Sequence, residues 1–318
     1  MLSLNDYSQL VNSWINDYSL PSYPAGLYEP ITYMLSGGGK RLRPTLLCAS
    51  AHAYGLNPEH VKNQALGIEL FHNFTLLHDD VMDDADVRHG IPTVHKKWDE
   101  RTAILSGDTM LTLATMSVAR APQHLSENIL ALFNKTAIEV YEGQQLDMNF
   151  ESMPVVTEDE YLEMIRLKTS VLLGCATRMG AMLAGADENS CNAMYDFATA
   201  MGIAFQLKDD FLDTFGDART FGKAIGGDIR NNKKTWLWVD AFNNNREKVV
   251  EAYASSDSVE KVKTVTELYK ELGCDKRCMS LIERYSAVAV DYLDKAGLDI
   301  ESYNFFKEIA LKSISRTH

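Results

Sequence analysis

Proline is scarce in this chain, with eight residues among 318. Proline interrupts a helix because it lacks a backbone donor and clashes with the preceding turn, so its scarcity suits long unbroken helices. The alternating apolar and polar runs that predict strands are also scarce. Apolar residues recur instead at three- and four-residue spacing, as at Leu66, Leu70, Phe74, Leu77 and Val81. This pattern predicts helix through nearly every segment.

Long apolar runs and an excess of basic charge are missing as well. No stretch of eighteen apolar residues occurs, and the longest candidate, 171–186, contains Arg178, so we expect no membrane span. The N-terminal residues lack the basic region and apolar core of a secretory signal, which indicates a cytoplasmic protein. The formal net charge of −13 argues against nucleic-acid binding, which needs a basic surface.

Cysteine is also sparse. The five cysteines form an odd number without the paired spacing of a zinc site, so we expect reduced, unpaired thiols.

Glycine- and proline-containing breaks separate roughly ten helices, and no linker or repeat divides them. With an apolar content of 46%, the sequence predicts an all-α, single-domain bundle of long helices over 1–318, arranged around a central cavity.

Two aspartate clusters with the same internal spacing are the most informative feature. Their members are Asp79, Asp80 and Asp83 in the first and Asp209, Asp210 and Asp213 in the second. Each cluster lies in an otherwise apolar helical run, where an ionised carboxylate is costly unless it is paired or binds a metal. Aspartates four residues apart share a helix face, and Mg²⁺ takes carboxylate oxygens while water and substrate phosphate complete its shell. We predict that the two clusters face each other and hold a diphosphate through magnesium.

Basic residues occur at places that suit a diphosphate. Lys40 and Arg43 follow the flexible turn 37–39 at the opening of a helix, where free amides favour an anion. Arg88 lies five residues past Asp83, and its planar guanidinium matches phosphate oxygens. The alternatives are solvated surface for the first group and a pair with a nearby acidic residue for Arg88.

Lys168, Thr169 and Gln206 are polar residues on apolar helix faces. Lys168 could contact a diphosphate, while Thr169 and Gln206 offer polar groups near an electron-poor carbon. The alternative is a lysine that extends its head to water and a core amide bonded to backbone.

A glycine-rich loop with Lys223 and Lys233 follows the second aspartate cluster. Such a loop could close over phosphate as a lid. The amides and carboxylates of 142–147 could support a metal indirectly through its ligands.

Together these motifs resemble one family. Between Gly38 and Lys234 the chain carries GGKRLRP, ELFHNFTLLHDDVMD, RHGIPT, GQQLD, KT, and FQLKDDFLD with GKAIGGDIRNNK. In their order and spacing these segments resemble the trans-polyprenyl diphosphate synthases, which include the farnesyl and geranylgeranyl diphosphate synthases. The resemblance implies the all-α isoprenoid synthase fold, a homodimer, three Mg²⁺ ions, and head-to-tail condensation of isopentenyl diphosphate with an allylic diphosphate.

The resemblance also implies roles for individual residues. Both aspartate clusters would hold the magnesium ions on the allylic diphosphate. That diphosphate would be bound directly by Arg88, Lys168, Lys223 and Lys233, and Lys168, Thr169 and Gln206 would form the catalytic set beside it. The isopentenyl diphosphate site would comprise Gly39, Lys40, Arg43 and His72. His89 departs from the family, in which many members have a second arginine, and an imidazole is only partly charged near neutral pH.

Product length is expected to depend on the helix that ends at the first aspartate cluster. Phe74 lies five residues before Asp79, about 7.5 Å along a helix, and Phe71 lies a further turn away. Both could close the floor of the prenyl tunnel. Thr75 is small where the family members with the shortest products often have an aromatic residue. The resemblance therefore implies a product of fifteen to twenty carbons, with twenty favoured.

Three other functions are compatible with parts of the pattern. Glu69-x-x-His72 is one half of the ligand signature of a carboxylate-bridged di-metal oxidase, but a second Glu-x-x-His is missing. A terpene cyclase or head-to-head condensing enzyme shares the ionisation chemistry, although a cyclase would not need the second-substrate residues. A regulatory partner subunit of a prenyl synthase would be expected to lose aspartates, and this chain keeps both clusters.

Overall fold

The computed structural model describes residues 1–217 and 225–315, the last three by their backbone only. The chain divides into two compact units. Unit 1 comprises Met1–Lys135 and Cys175–Asn192, and unit 2 comprises Thr136–Gly174 and Ala193–His318. A single domain over 1–318 stays a prediction, because compactness alone does not show which parts fold together.

Helices make up most of the described chain. In chain order they are α1 (Leu4–Asn16), α2 (Ala25–Ser36), α3 (Leu42–Ala53), α4 (Lys62–Met82), α5 (Val94–Lys97), α6 (Glu100–Val118), α7 (Ser126–Ser152), α8 (Glu158–Ile165), α9 (Val171–Leu183), α10 (Glu188–Phe215), α11 (Gly227–Arg230), α12 (Trp236–Asn244), α13 (Arg246–Tyr253), α14 (Ser258–Glu271), α15 (Cys274–Leu293) and α16 (Ile300–Ser315). The predicted all-α class is confirmed. All five cysteines are buried free thiols, as expected.

Two short elements were not expected from the sequence. A π-helical turn, Arg166–Ser170, joins α8 to α9. The strands β1 (Val87–Arg88) and β2 (Ile91–Pro92) pair antiparallel in a small hairpin. Both fall in segments where the sequence pattern showed only helix or loop. Neither element gives a clear periodic signal. A pattern of apolar residues needs several repeats to be recognised, and these elements are too short to contain them.

In unit 1, α4 and α6 form a close antiparallel pair. A Cβ on Gly67 would lie 2.6 Å from Val118, and a Cβ on Gly107 would lie 2.2 Å from His78. The two glycines therefore let the helices approach at both ends of α4. Beneath them the ring of Phe71 packs edge-on against Phe133 at 5.3 Å. This packing fixes the helix whose last turn carries the first aspartate cluster.

In unit 2, the π-helical turn is held by its neighbours. A Cβ on Gly143 of α7 would lie 2.3 Å from the backbone nitrogen of Lys168, so only glycine allows this approach. The hydroxyl of Ser170 donates to the carbonyl of Ile165 at 3.4 Å, five residues earlier. A widened turn of this kind turns a side chain out of regular helical register and is frequent at functional sites. Here the residue in the turn is Lys168.

A helix that spans a bilayer must be both long and apolar. Over the residues with a described structure, no helix combines enough length with enough apolar character to span a membrane.

Candidate active site

The first aspartate cluster ends α4. Asp79 and Asp80 lie in its last turn, and Asp83 is the residue that caps it, with its amide bonded to the carbonyl of Asp79 at 2.9 Å. Arg88 reaches back to both carboxylates: its Nε lies 2.7 Å from Asp80 Oδ1, and its guanidinium lies 3.8 Å from Asp79 Oδ2. The alternative partners for Arg88, Asp84 and Asp86, are bonded instead to Lys96, at 2.7 and 3.2 Å.

Asp80 is a buried carboxylate with one oxygen available to a cation. Its side chain is almost fully buried, and burial raises its pKa, while the positive charge of Arg88 opposes that rise. Oδ2 is buried and has no hydrogen-bond partner among the described residues. Such an atom favours a cation, because a buried acceptor without a partner is costly.

Magnesium fits this donor set without a cage made of protein alone. In the described parts of the chain, no three acidic, histidine or cysteine side chains gather into a ready-made metal site. Mg²⁺ commonly takes one or two carboxylates and completes its shell with water and substrate phosphate. The carboxylates of Asp79 and Asp80 are of the type it needs.

The turn of the small hairpin places His89 near the glycine-rich segment before α3. His89 and Gly90 form its two-residue turn, with φ angles of 51° and 81°. Two successive positive φ values are typical of a type I′ turn, and histidine is among the residue types enriched in that region. The hydroxyl of Tyr33 donates to the carbonyl of Pro92 at 2.8 Å and ties the hairpin to α2. His89 thereby lies near Gly39, since a Cβ on Gly39 would be 4.0 Å from its Cε1.

The basic segment before α3 contains a residue that sequence reasoning missed. Arg41 has a φ of 47°, is buried, and bonds Glu69 of α4 at 2.6 Å. It also donates to the side chain of Asn12 at 3.2 Å. Glu69 is thus engaged by an arginine, which accounts for the Glu-x-x-His pattern without a metal. Lys40 and Arg43 lie on either side of Arg41 in the sequence.

Arg43 and His72 are in direct contact, as the prediction of a shared site requires. The guanidinium of Arg43 lies 3.2 Å from His72 Nε2. Arginine has no acceptor, so Nε2 accepts the hydrogen bond and the proton of the neutral ring is on Nδ1. Burial and then the charges of Arg43 and Arg88 lower the pKa of His72 well below its ordinary value. Burial also lowers the pKa of Arg43 to about 10.

Unit 2 contains a cavity of about 210 Å³ that gathers most of the predicted residues of that unit. The predicted residues that line it are Lys168, Thr169, Gln206, Asp209, Asp210 and Lys233. The other charged or hydroxyl-bearing residues of its wall are Asp147, Tyr161, Asp228, Lys234 and Thr235. Lys168 and Asp147 form an ion pair across it at 2.5 Å. Lys223 lies outside the described residues.

A chain of hydrogen bonds connects the catalytic residues predicted for this cavity. The hydroxyl of Thr169 donates to Gln206 Oε1 at 3.2 Å, and the amide of Gln206 donates to Asp210 Oδ1 at 3.1 Å. The hydroxyl of Tyr161 and the backbone amide of Trp236 both donate to Asp210 Oδ2. Gln206 is therefore oriented by its two neighbours.

Asp210 is buried among neutral donors instead of cations. Burial, and then the negative charge of Asp228, raises its pKa to about 8, although the hydrogen bonds from Tyr161 and Gln206 oppose the rise. Its two oxygens are occupied by three donors. Asp209 also lines the cavity.

Asp213 accepts hydrogen bonds from the loop that follows α10. Its carboxylate accepts the backbone amides of Gly227 at 3.2 Å and Asp228 at 3.0 Å, at the start of the short helix α11. Its backbone carbonyl also accepts the amide of Gly226 at 2.6 Å. A carboxylate that accepts backbone amides at a helix start holds that segment in place. The metal role predicted for Asp213 stays a prediction.

The residues expected to set product length lie together in unit 1. Phe71 and Phe74 are buried on α4, with ring centroids 5.7 Å apart. The ring of His78 packs edge-on against Phe74 at 4.7 Å. Thr75 is partly buried and bonds the carbonyl of His72 at 2.8 Å.

Four polar residues of the site were not assigned a role from the sequence. Tyr161, Asp228, Lys234 and Thr235 all line the cavity of unit 2. Asp228 belongs to the glycine-rich loop that the sequence singled out, so its neighbourhood gave a signal. No sequence pattern indicated Tyr161 or Lys234, because their partners lie 49 or more residues away along the chain.

These features define a helical protein in which carboxylates lie beside cationic side chains, and comparisons with known proteins narrow the class. The polyprenyl synthetase family model matches residues 24–272. The geranylgeranyl diphosphate synthase of Methanosarcina mazei is 40% identical over 241 residues, covering 75% of this chain and 74% of that protein. The geranylgeranyl pyrophosphate synthase of Geoglobus acetivorans is 36% identical over 326 residues, covering 99% and 98%.

A solved structure gives the same result. The crystal structure of a geranylgeranyl pyrophosphate synthase superposes with a TM-score of 0.96 and 42% identity, and 99% of each chain is covered. The chain belongs to the polyprenyl synthetase family and is a short-chain prenyltransferase. The family resemblance inferred from the motifs is confirmed.

Proposed function

We propose that this chain catalyses the magnesium-dependent, head-to-tail condensation of isopentenyl diphosphate with an allylic diphosphate. The allylic substrate is dimethylallyl, geranyl or farnesyl diphosphate. The products are pyrophosphate and an all-trans prenyl diphosphate of fifteen to twenty carbons, with geranylgeranyl diphosphate favoured over farnesyl diphosphate. The observation that carries the proposal is the cavity where Lys168, Thr169, Gln206, Asp209 and Lys233 meet.

The allylic diphosphate is bound by cations and by metal. When bound, magnesium, which we expect as three ions in the substrate complex, would neutralise charge on pyrophosphate. Asp79, Asp80 and Asp83 with Asp209, Asp210 and Asp213 would hold it. Arg88, Lys168 and Lys233 would donate directly to the phosphate oxygens. Lys223 would join them.

The bond to pyrophosphate breaks with its electron pair, which leaves an allylic cation at the carbon. Thr169 bonds Gln206, and Gln206 bonds Asp210. The oxygen atoms of Thr169 and Gln206 would stabilise that positive charge, and such stabilisation is strongest where water is excluded. The double bond of isopentenyl diphosphate then attacks the cation. Loss of a proton to the released pyrophosphate restores the alkene, so no protein nucleophile is needed.

Isopentenyl diphosphate would bind on the basic surface of unit 1. Arg43 and His72 are in contact, and His89 lies beside Gly39. Lys40 adds a second cation. A neutral His89 donates one hydrogen bond where an arginine would donate several, so we expect weaker binding of this substrate at high pH.

A second copy of this chain is the partner we propose. Large apolar side chains are exposed along α6 in unit 1, where Ile104 is 47% exposed, Leu105 60% and Met116 54%. Apolar surface of this kind is typical of interfaces. A homodimer would cover it. We further propose that the protein acts in the cytoplasm.

Product analysis tests the function. The protein is incubated with Mg²⁺, radiolabelled isopentenyl diphosphate and a series of allylic primers, and the products are sized by chromatography. We expect label in prenyl diphosphates of fifteen to twenty carbons and none when Mg²⁺ is chelated. Conversion of a primer to a product without diphosphate and without label would indicate a cyclase, and no turnover with any primer would indicate a regulatory subunit.

A further inference from the structure

We propose that Lys234 is a positioning residue that fixes the loop of Lys233 and Asp228 against the end of α7, and that it does not bind substrate itself. The proposal rests on the proposed function, because Lys233 and Asp228 line the cavity where the diphosphate would bind. Two adjacent lysines would then have opposite tasks. One binds the ligand, and the other holds the loop in place.

The contacts of Lys234 carry this inference. Its ammonium donates to the carbonyl of Phe150 at 2.5 Å, to that of Glu151 at 3.4 Å, and to that of Met153. A lysine ammonium has three donors, so these three carbonyls use all of them. No donor is left for a phosphate oxygen. The position of Lys234 in the cavity wall would otherwise suggest a phosphate ligand.

The carbonyls at this place need such a partner. The helix α7 ends at Ser152, and the last carbonyls of a helix have no partner within it. They also form the negative end of the helix dipole, which favours a cation. Burial lowers the pKa of Lys234, which indicates a partly dehydrated ammonium that depends on these acceptors. Its head also lies 5.4 Å from the ring of Trp238.

The loop between Gly226 and Lys234 is fastened at two further points. Asp213 accepts the amides of Gly227 and Asp228, and Lys261 of α14 donates to Asn232 at 2.6 Å. These contacts hold the start and the middle of the loop. Lys234 holds its end, immediately after Lys233. It also fastens the end of α7, where Asp147 pairs with Lys168.

A double-mutant cycle on the full-length protein tests the proposal. Lys233→Met removes a cation that binds the ligand, and we expect a higher KM for the allylic diphosphate. Lys234→Met should lower kcat/KM by about tenfold to a hundredfold, since a misplaced loop misplaces its ligating groups. If Lys234 acts through Lys233, the second substitution should cost less than about threefold in the Lys233→Met background. Lys234→Arg, which retains charge and donors, should recover part of the loss.

A binding measurement separates this proposal from a purely structural role. Mg²⁺ with inorganic pyrophosphate should raise the melting temperature of the unmodified protein, and Lys234→Met should lose most of that increase. Lys263→Met, the same change at an exposed position of α14, should keep it. If Lys234→Met lowers the melting temperature but keeps the pyrophosphate-induced increase and the KM, the proposal is wrong. Independent, multiplicative losses in the double variant would also overturn it.

The two proposals fail in different ways. If the unmodified protein does not condense the substrates, the proposed function is wrong, and the pyrophosphate-induced change in melting temperature still tests Lys234. If condensation occurs and Lys234→Met behaves like Lys263→Met, the function stands and the role of Lys234 is wrong.

Discussion

The two aspartate clusters have the same spacing but different partners. In unit 1, the carboxylate of Asp80 is balanced by a cation, Arg88, at 2.7 Å. In unit 2, the donors to the corresponding Asp210 among the described residues are the neutral groups of Tyr161, Gln206 and Trp236. Because neutral donors do not balance the charge, burial raises the pKa of Asp210 to about 8. The same aspartate spacing therefore gives a carboxylate paired with a cation in unit 1 and a carboxylate bonded to neutral donors in unit 2.

The third aspartates differ as well. Asp83 caps the end of α4, whereas Asp213 lies within α10 and accepts two backbone amides of the following loop. Spacing alone therefore does not determine which oxygens can bind a metal. The partners that surround each carboxylate decide that, and they come from other parts of the chain.

The largest expected effect tests whether the two clusters contribute equally. Asp79→Asn and Asp209→Asn each remove a negative charge that would bind Mg²⁺, and we expect each to lower kcat by about 10²- to 10³-fold. The Mg²⁺ concentration for half-maximal rate should rise in both. Asp291→Asn, an exposed change of the same type, should leave both quantities unchanged. Loss of activity in only one of the two variants would show that the clusters are not equivalent.

A second, smaller effect concerns product length, which should depend on the aromatic residue before the first aspartate cluster and not on the one before the second. Phe74 precedes Asp79 by five residues, whereas Phe205 precedes Asp209 by four. Phe74→Ala should open the tunnel floor and lengthen the product by at least one isoprene unit, and Phe205→Ala should leave the length unchanged. Chromatographic sizing of the products measures this. An unchanged profile for Phe74→Ala would refute the assignment of the floor to α4.

The substitution at Phe74 also has a cost in stability. The side chain is buried, and replacing a buried phenylalanine by alanine costs about 3–5 kcal/mol of unfolding free energy. Thr75→Phe provides a check that creates no cavity, and it should shorten the product. If both variants change the product in the same direction, the tunnel does not run along this helix.

The smallest expected effect is the pH dependence of the unfolding free energy that His72, which lies among cationic side chains, should cause. Burial and the charges of Arg43, Arg88, Arg41 and His89 lower the pKa of His72 in the folded protein well below 6.5. The unfolded chain therefore binds a proton at His72 as pH falls through 6.5, and the folded chain does not. The unfolding free energy should fall on acidification by up to about 1.4 kcal/mol per pH unit from this residue.

His72→Asn should reduce the change in unfolding free energy between pH 6.5 and 5. Above pH 7 the substitution should not alter the pH dependence. Urea unfolding at a series of pH values measures the slope. His124→Asn serves as the matched control, and it should leave the slope as it is in the unmodified chain. An equal slope in His72→Asn and the unmodified protein would show that His72 is protonated in both states.

Much of the fold and of the site could be predicted from the sequence. The three- and four-residue periodicity predicted the helices, and the polar residues on apolar faces predicted Lys168, Thr169 and Gln206 at one cavity. Arg43 and His72, which the family resemblance assigned to one site, are in contact, and their role in binding stays a prediction. These features depend on local spacing or on the types of residue that a buried anion requires.

Other features could not be predicted. The widened turn that presents Lys168 depends on Gly143, which lies on another helix. The left-handed conformation of His89 depends on the hairpin between Val87 and Pro92. Neither has a periodic signal, since each involves only a few residues whose geometry is set by a neighbouring element.

The sequence by itself determined the helices and the positions of both aspartate clusters, because hydrogen bonds between near neighbours and side-chain burial follow the order of residues along the chain. Tertiary structure decided which carboxylate meets a cation, which meets neutral donors, and which of two adjacent lysines caps a helix. Tyr161 and Asp210 are 49 residues apart, and Lys234 and Phe150 are 84 apart. Contacts over such distances form only when packing brings the segments together, and burial then fixes the charge that each group can carry.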